Sequence, residues 1–234
     1  MKLFRGIRRS LIKEGNLKRY IPYAIGEILL VMIGILLAFQ VSKWNDNRIK
    51  RNSELIYYQN IKEQIINDKN LILNQIEFNN QYLSQFKFAN IILETNNRSE
   101  LDTLGQIIKN LTQFSDFDRK GNIYETLVNS GEIKLLKNNE IVNIIRILEE
   151  RYNYVNRMEN MHQEVVMYSV PIISEIIKFS SAEIMQPEKA YSYQFQNIFQ
   201  SMIGIMEEKN HTYSTAINFI DDTLELIDKE LENK

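Results

Sequence analysis

The chain of 234 residues contains no cysteine, so neither disulfides nor thiolate chemistry can contribute to its fold or function in any compartment. Only three prolines occur, at positions 22, 171 and 187. The long interval between the first two therefore holds no obligatory helix breaker. Glycine is sparse as well, and no glycine-rich phosphate loop, nucleophile elbow or zinc-ligand cluster can be found. Segments that alternate with period two for long enough to be strands are also missing, so the expected fold class is all-α. The net charge of −2 gives no basic excess, and acids and bases interleave along most of the chain as on a solvated helical surface. Nucleic-acid binding is not expected, and no cofactor or metal is expected either.

What the sequence does contain is one long apolar run, Ile21 to Val41, interrupted by a single charge at Glu27. At about 1.5 Å per residue this run rises roughly 31 Å as a helix, close to the ~30 Å of a bilayer's hydrocarbon core. Residues 20–43 are thus expected to form one transmembrane helix. Tyr20 and Tyr23 at one edge and Trp44 at the other suit the headgroup layers, where amphipathic rings are favoured. The apolar run is too long for a signal peptide, and Leu36 is too large to form a small-x-small cleavage site with Ala38.

Ahead of the run, Lys2, Arg5, Arg8, Arg9, Lys13, Lys18 and Arg19 face one acid, Glu14. Residues 1–19 should therefore stay on the cytoplasmic side, with Leu3, Phe4, Ile7, Leu11 and Ile12 at helical spacing opposite the bases. Arg5, Arg8, Arg9, Lys13, Lys18, Arg19 and Trp44 are the candidate membrane-surface anchors. A segment this short cannot fold into an effector domain.

Within the run, Glu27 is the candidate of greatest chemical interest, because an ionisable group inside a span is costly and is by default a functional hypothesis. It has three readings: a carboxyl that specifies assembly by hydrogen-bonding a neighbouring helix, a proton-exchanging group as in motor subunits, or a tolerated interfacial charge. Gly34 and Ala38 form a small-xxx-small pair, Gly26 lies two turns earlier on a nearby face, and Glu27, Gly34 and Val41 repeat every seven residues. Close helix–helix approach along this side, and hence self-association, is the preferred reading.

Residues 44–234 are expected to form an elongated antiparallel helical bundle. The apolar line Leu55, Tyr58, Ile61, Ile65, Ile72, Ile76, Leu83 and Phe86 continues the first helix to about residue 94, with Asp68, Lys69 and Asn79 as candidate points of fraying or kinking. A helix over 100–113 is capped by Ser99, another spans Ile123–Ser130 and closes at Gly131, and a third runs from about 140 to 180, kinked at Pro171. Its apolar stripe is Ile141, Ile144, Leu148, Tyr152, Val155, Met158, Val166 and Ile173. A last helix covers about 188–232, after a turn at 181–187. Glu159-x-x-His162 and Glu208-x-x-His211 match the step used by di-iron bundles, but the two histidines fall on different faces. They read as one core and one surface histidine.

The run from Tyr23 to Ala38, reading YAIGEILLVMIGILLA, with Trp44-Asn45-Asp46 and the later Tyr124–Leu127 and Ser130–Ile133, resembles a family of uncharacterised single-span membrane proteins of Gram-negative bacteria. The resemblance implies an inner-membrane protein with a periplasmic helical domain and no established activity. The expected role is a non-enzymatic, membrane-anchored scaffold or accessory subunit. Its expected partners are the lipid bilayer and a second copy or another membrane protein. The alternatives are a periplasmic sensor coupled to a separate output protein, for an unspecified small ligand, and a proton-channel subunit centred on Glu27. A ligand-sized pocket in the bundle favours the sensor.

Overall fold

A computed structural model describes residues 17–119 and 121–232, with the backbone alone for residues 17–20 and Tyr23. The elements in chain order are α1 (Leu17–Glu94), a 3-10 turn at Arg98–Glu100, α2 (Leu101–Asn110), α3 (Ile123–Ser130), a 3-10 turn at Glu132–Leu135 and α4 (Asn139–Ile176). They are followed by β1 (Ile177–Lys178), β2 (Glu183–Ile184), α5 (Pro187–Ala190) and α6 (Tyr193–Glu232). The chain separates into two units, residues 1–54 and 55–234.

In the first unit, the part of α1 from Ile25 to Lys50 exposes every residue but Glu27, which is half-buried. Its apolar side chains are among the most exposed of the protein: Leu30, Ile35, Phe39 and Trp44 are all 63–64% accessible. α1 runs through Pro22, whose ring nitrogen has no proton to donate to the carbonyl one turn earlier.

The second unit is a bundle whose three long members are residues 55–94 of α1, then α4 and α6. Lys62 pairs with Asp228 and Lys69 with Asp221, so α1 and α6 are antiparallel. The Tyr58 hydroxyl accepts from the Asn138 amide at the start of α4, and residues 83–93 share a core with residues 166–176. α1 and α4 therefore run the same way. This requires residues 95–138 to bring the chain back along the bundle. That return explains the short helices: α2 packs on the β1–β2 turn at one end, and α3 packs on α4 toward the other.

The helix ends follow local chemistry. Asn138 Oδ1 accepts from the amides of Glu140 and Ile141, and Asn122 Oδ1 from that of Glu125. Gly131 closes α3 with φ +74°, a region open to glycine at little cost. Several boundaries differ from expectation. Asn97, not Ser99, caps the turn before α2: its Oδ1 accepts from the Ser99 amide and hydroxyl. α4 ends at Ile176 rather than near 180, because Ile177 and Lys178 pair with Ile184 and Glu183, strands too short to show any period. As expected, the helix continues through Pro171. The expected last helix is two pieces, α5 and α6, separated at Tyr191–Ser192. Ile145 rather than Ile144 is the buried residue on α4.

Two apolar clusters fill the bundle. One joins Leu83, Phe86, Ile173, Phe195, Phe199 and Met202 with α2 and the β-turn. The other joins Tyr58, Ile65, Ile72, Ile141, Leu148, Tyr152, Tyr213 and Ile220 with α3. Full burial of side chains this size contributes roughly 1.5–3 kcal/mol each. Gly105 on α2 permits a close approach at the first cluster: a Cβ there would lie 2.1 Å from the Ala182 carbonyl oxygen.

Candidate functional site

Between the two apolar clusters lies a buried polar layer. Asn79 of α1, Glu159 and His162 of α4, and Lys209 and Thr212 of α6 are each at most 5% accessible. The register that pairs α1 with α6 brings Asn79 opposite Asn210, to whose Oδ1 it donates at 2.7 Å; the same amide group donates to the Met206 carbonyl. Asp68 and Asn79 thus do not fray α1: both are buried within a continuous helix.

Residues 111–119, which carry no helix beyond the first turn, cross this layer as a strap. Two buried carboxylates on α4 hold it. Glu159 accepts the Phe117 amide, at 2.9 Å from both oxygens, and the Tyr213 hydroxyl at 2.5 Å. Glu149 accepts the Ile123 amide at 3.0 Å and a two-pronged bond from the Arg119 guanidinium, a geometry that suits a planar cation and a carboxylate. Arg119 also lies 4.4 Å over the Tyr152 ring. From α6, Lys209 Nζ donates to the Ser115 hydroxyl at 3.0 Å and to His162 Nδ1 at 3.2 Å.

Burial shifts these groups from their ordinary titration ranges. It raises the Glu159 carboxyl, against the hydrogen bonds from Tyr213 and Phe117 and the nearby Lys209 charge. It lowers Lys209 to about 8, opposed by Glu159 and Asp116. His162 is lowered to about 3 by burial and then by the Lys209 charge. The imidazole is therefore neutral, with Nδ1 accepting and Nε2 carrying the proton. Nε2 has no partner among the described residues, nor have Asn79 Oδ1 and Thr212 Oγ1. His162 is thus the expected core histidine but not a fully satisfied one, while His211 is exposed as expected. Among the described residues no group of three or more metal-ligating side chains is assembled.

A groove of about 720 Å³ opens beside α4, α5 and the start of α6. Val165, Ile172, Phe195 and Ile198 supply apolar lining, and Glu175 and Lys189, paired at 2.9 Å, supply charge.

The expected membrane residues are placed as follows. Gly26, Gly34 and Ala38 are exposed on α1, and no atom lies within 4 Å of a Cβ built on either glycine. Trp44 is exposed at the end of the apolar run. Arg5, Arg8, Arg9 and Lys13, with the amphipathic helix expected around them, lie outside the described residues, as do the side chains of Lys18 and Arg19. α1 is long and apolar enough to cross a membrane: its best window has a mean hydropathy of 2.3 and none of it is buried.

The chain belongs to a family of unknown function, DUF6090, whose sequence profile matches residues 27–167, more than half of its length. The matched residues begin at Glu27 and include α2, α3, the strap, and α4 as far as Met167, so they contain Glu149, Glu159 and His162 but not Lys209. No curated protein and no solved structure matches.

Proposed function

We propose that the protein is a non-enzymatic, membrane-anchored scaffold or accessory subunit, set in the bacterial inner membrane with its N-terminus cytoplasmic and its bundle periplasmic. The observation that carries this reading is the bare apolar surface of α1 from residue 25 to 41, which no other described residue buries. An uncovered apolar helix of this length needs lipid or another helix as its solvent. The open backbone at Gly26 and Gly34, beside Ala38 and Glu27, suits a second helix at close range. The partner is a second copy or another single-span protein.

The test is the mass of the full chain extracted in detergent or nanodiscs, with and without Glu27→Gln. A defined oligomer that the substitution disperses supports assembly through this face. A monodisperse monomer without a partner contradicts it. An oligomer unchanged by the substitution, with activity lost in cells, points instead to proton exchange at Glu27.

The groove beside α4, α5 and α6 favours a second reading, a receptor whose bundle binds a small molecule and passes the signal to a separate output protein. Its volume lies within the range of roughly 300–1,000 Å³ typical of ligand sites. Saturable binding of a small molecule that Ile198→Trp abolishes would place the receptor first.

A further inference from the structure

The polar residues inside the bundle do not balance in charge. Among the described residues of the bundle core, three buried carboxylates, Asp68, Glu149 and Glu159, face two buried cations, Arg119 and Lys209. Glu149 is matched by Arg119, and Glu159 by its two donors, the Phe117 amide and the Tyr213 hydroxyl, and by Lys209 across the layer. Asp68 is the carboxylate left over.

Its surroundings confirm the imbalance from each side. Asp68 is 2% accessible, and its Oδ2 has no partner among the described residues. From α4 it faces the Tyr152 phenol, which can bond the carboxyl, and the Glu149 carboxylate. From the strap it faces Arg119, already committed to Glu149. On α6 the charged residues nearest in register are Asp222, which is exposed, and Asp221, which is half-exposed and held by Lys69. An ionised Asp68 is thus a buried anion with no cation of its own and the Tyr152 hydroxyl as its donor, whereas a neutral Asp68 places no charge in the core.

We propose that Asp68 is a proton-binding switch: with the proton on, the neutral carboxyl is buried between α1 and α4 without an uncompensated charge, and with the proton off, the unmatched buried charge loosens the packing of α1 on α4. The step is a simple proton exchange with solvent, one proton per chain. Burial raises the Asp68 carboxyl to about 6, so mild acidification tightens the bundle. Tyr152, raised by burial and by the Asp68 charge, keeps its own proton throughout. The inference stands independently of how the chain is anchored.

The test is hydrogen exchange of the α1 and α4 peptides that contain Asp68 and Tyr152, read by mass spectrometry on the full chain in nanodiscs and corrected for the intrinsic pH dependence of exchange. At pH 5 about ten Asp68 carboxyls are protonated for each ionised one, and at pH 7.5 the ratio is reversed to about one in thirty. Their protection in the wild type should be roughly tenfold greater at pH 5 than at pH 7.5, and Asp68→Asn should hold the pH 5 level at both. An infrared titration of the protonated-carboxyl stretch gives a reading that needs no unfolding: one band should disappear near pH 6 in the wild type and in Glu159→Gln, but be missing in Asp68→Asn. Equal protection at the two pH values, a full pH response retained in Asp68→Asn, or no carboxyl titrating above the ordinary range would each overturn the proposal.

Discussion

Two stretches of the same helix treat apolar residues in opposite ways. In α1 between Ile25 and Val41 the large apolar side chains are about 46–64% exposed, whereas Tyr58, Ile65, Ile72 and Phe86 farther along are completely buried. Helical backbone and apolar content do not distinguish the stretches; spacing does. Residues 55–93 place apolar side chains on one stripe that α4 and α6 can cover, while residues 28–39 place them on every side. An all-round apolar helix has no polar face to give to water. Its solvent has to come from outside the fold.

Substitutions on either side should separate the two behaviours. The largest effect is expected inside the bundle, where Phe199→Ala removes a fully buried ring that packs edge-on against Phe86 and Phe195. Denaturant unfolding should show a loss of about 3–5 kcal/mol, with the protein still recovered in the membrane fraction. Ile33→Arg should do the reverse. A guanidinium at the centre of a span costs about 2.5–3.5 kcal/mol, so membrane recovery should fall while the unfolding midpoint of the bundle is unchanged.

The third effect depends on pH. Because burial raises Asp68 from 3.8 to about 6, the folded chain holds this proton more tightly than the unfolded one. The associated stability is present below about pH 4 and is lost as pH rises to about 6. Asp68→Asn should therefore raise stability by about 2–3 kcal/mol at pH 8 and change it little at pH 4. His162 has the opposite sign: depressed to about 3, it withdraws stability as pH falls below its ordinary value of 6.5 toward 3. Unfolding curves at pH 4, 6 and 8 for wild type and Asp68→Asn separate the two terms. The smallest effect is expected for Gly105→Ala, whose Cβ would meet the Ala182 carbonyl oxygen at 2.1 Å. Forcing α2 from the β-turn should cost about 1–3 kcal/mol in the same assay.

Periodicity made the long helices, the apolar stripe of α6 and the cap at Gly131 legible in the sequence, because each depends on residues close together along the chain. The polar layer was not legible. Asp68 and Asn79 look like interruptions in the stripe of α1 until Tyr152, Arg119 and Asn210, far away in sequence, are brought opposite them. Glu149 and Glu159 have the same history: each lies on a helix face, and its partners sit on a strap with no period of its own. A usable signal did exist in the spacing. Asp68, Glu159, His162, Lys209 and Thr212 all fall at inward positions of otherwise apolar stripes. The parallel course of α1 and α4 was equally hidden, since it follows from the return path of residues 95–138 rather than from any helix.

The most direct test of the anchored, self-associating helix uses the absence of native cysteine. Single substitutions Gly34→Cys, Ala38→Cys, Leu29→Cys and Leu36→Cys, made in full-length protein and oxidised in native membranes, compare the small-residue face with the opposite one. Cross-linked dimer from positions 34 and 38, with little from 29 and 36, is the expected result. Equal cross-linking at all four positions, or recovery of the protein outside the membrane, would contradict it.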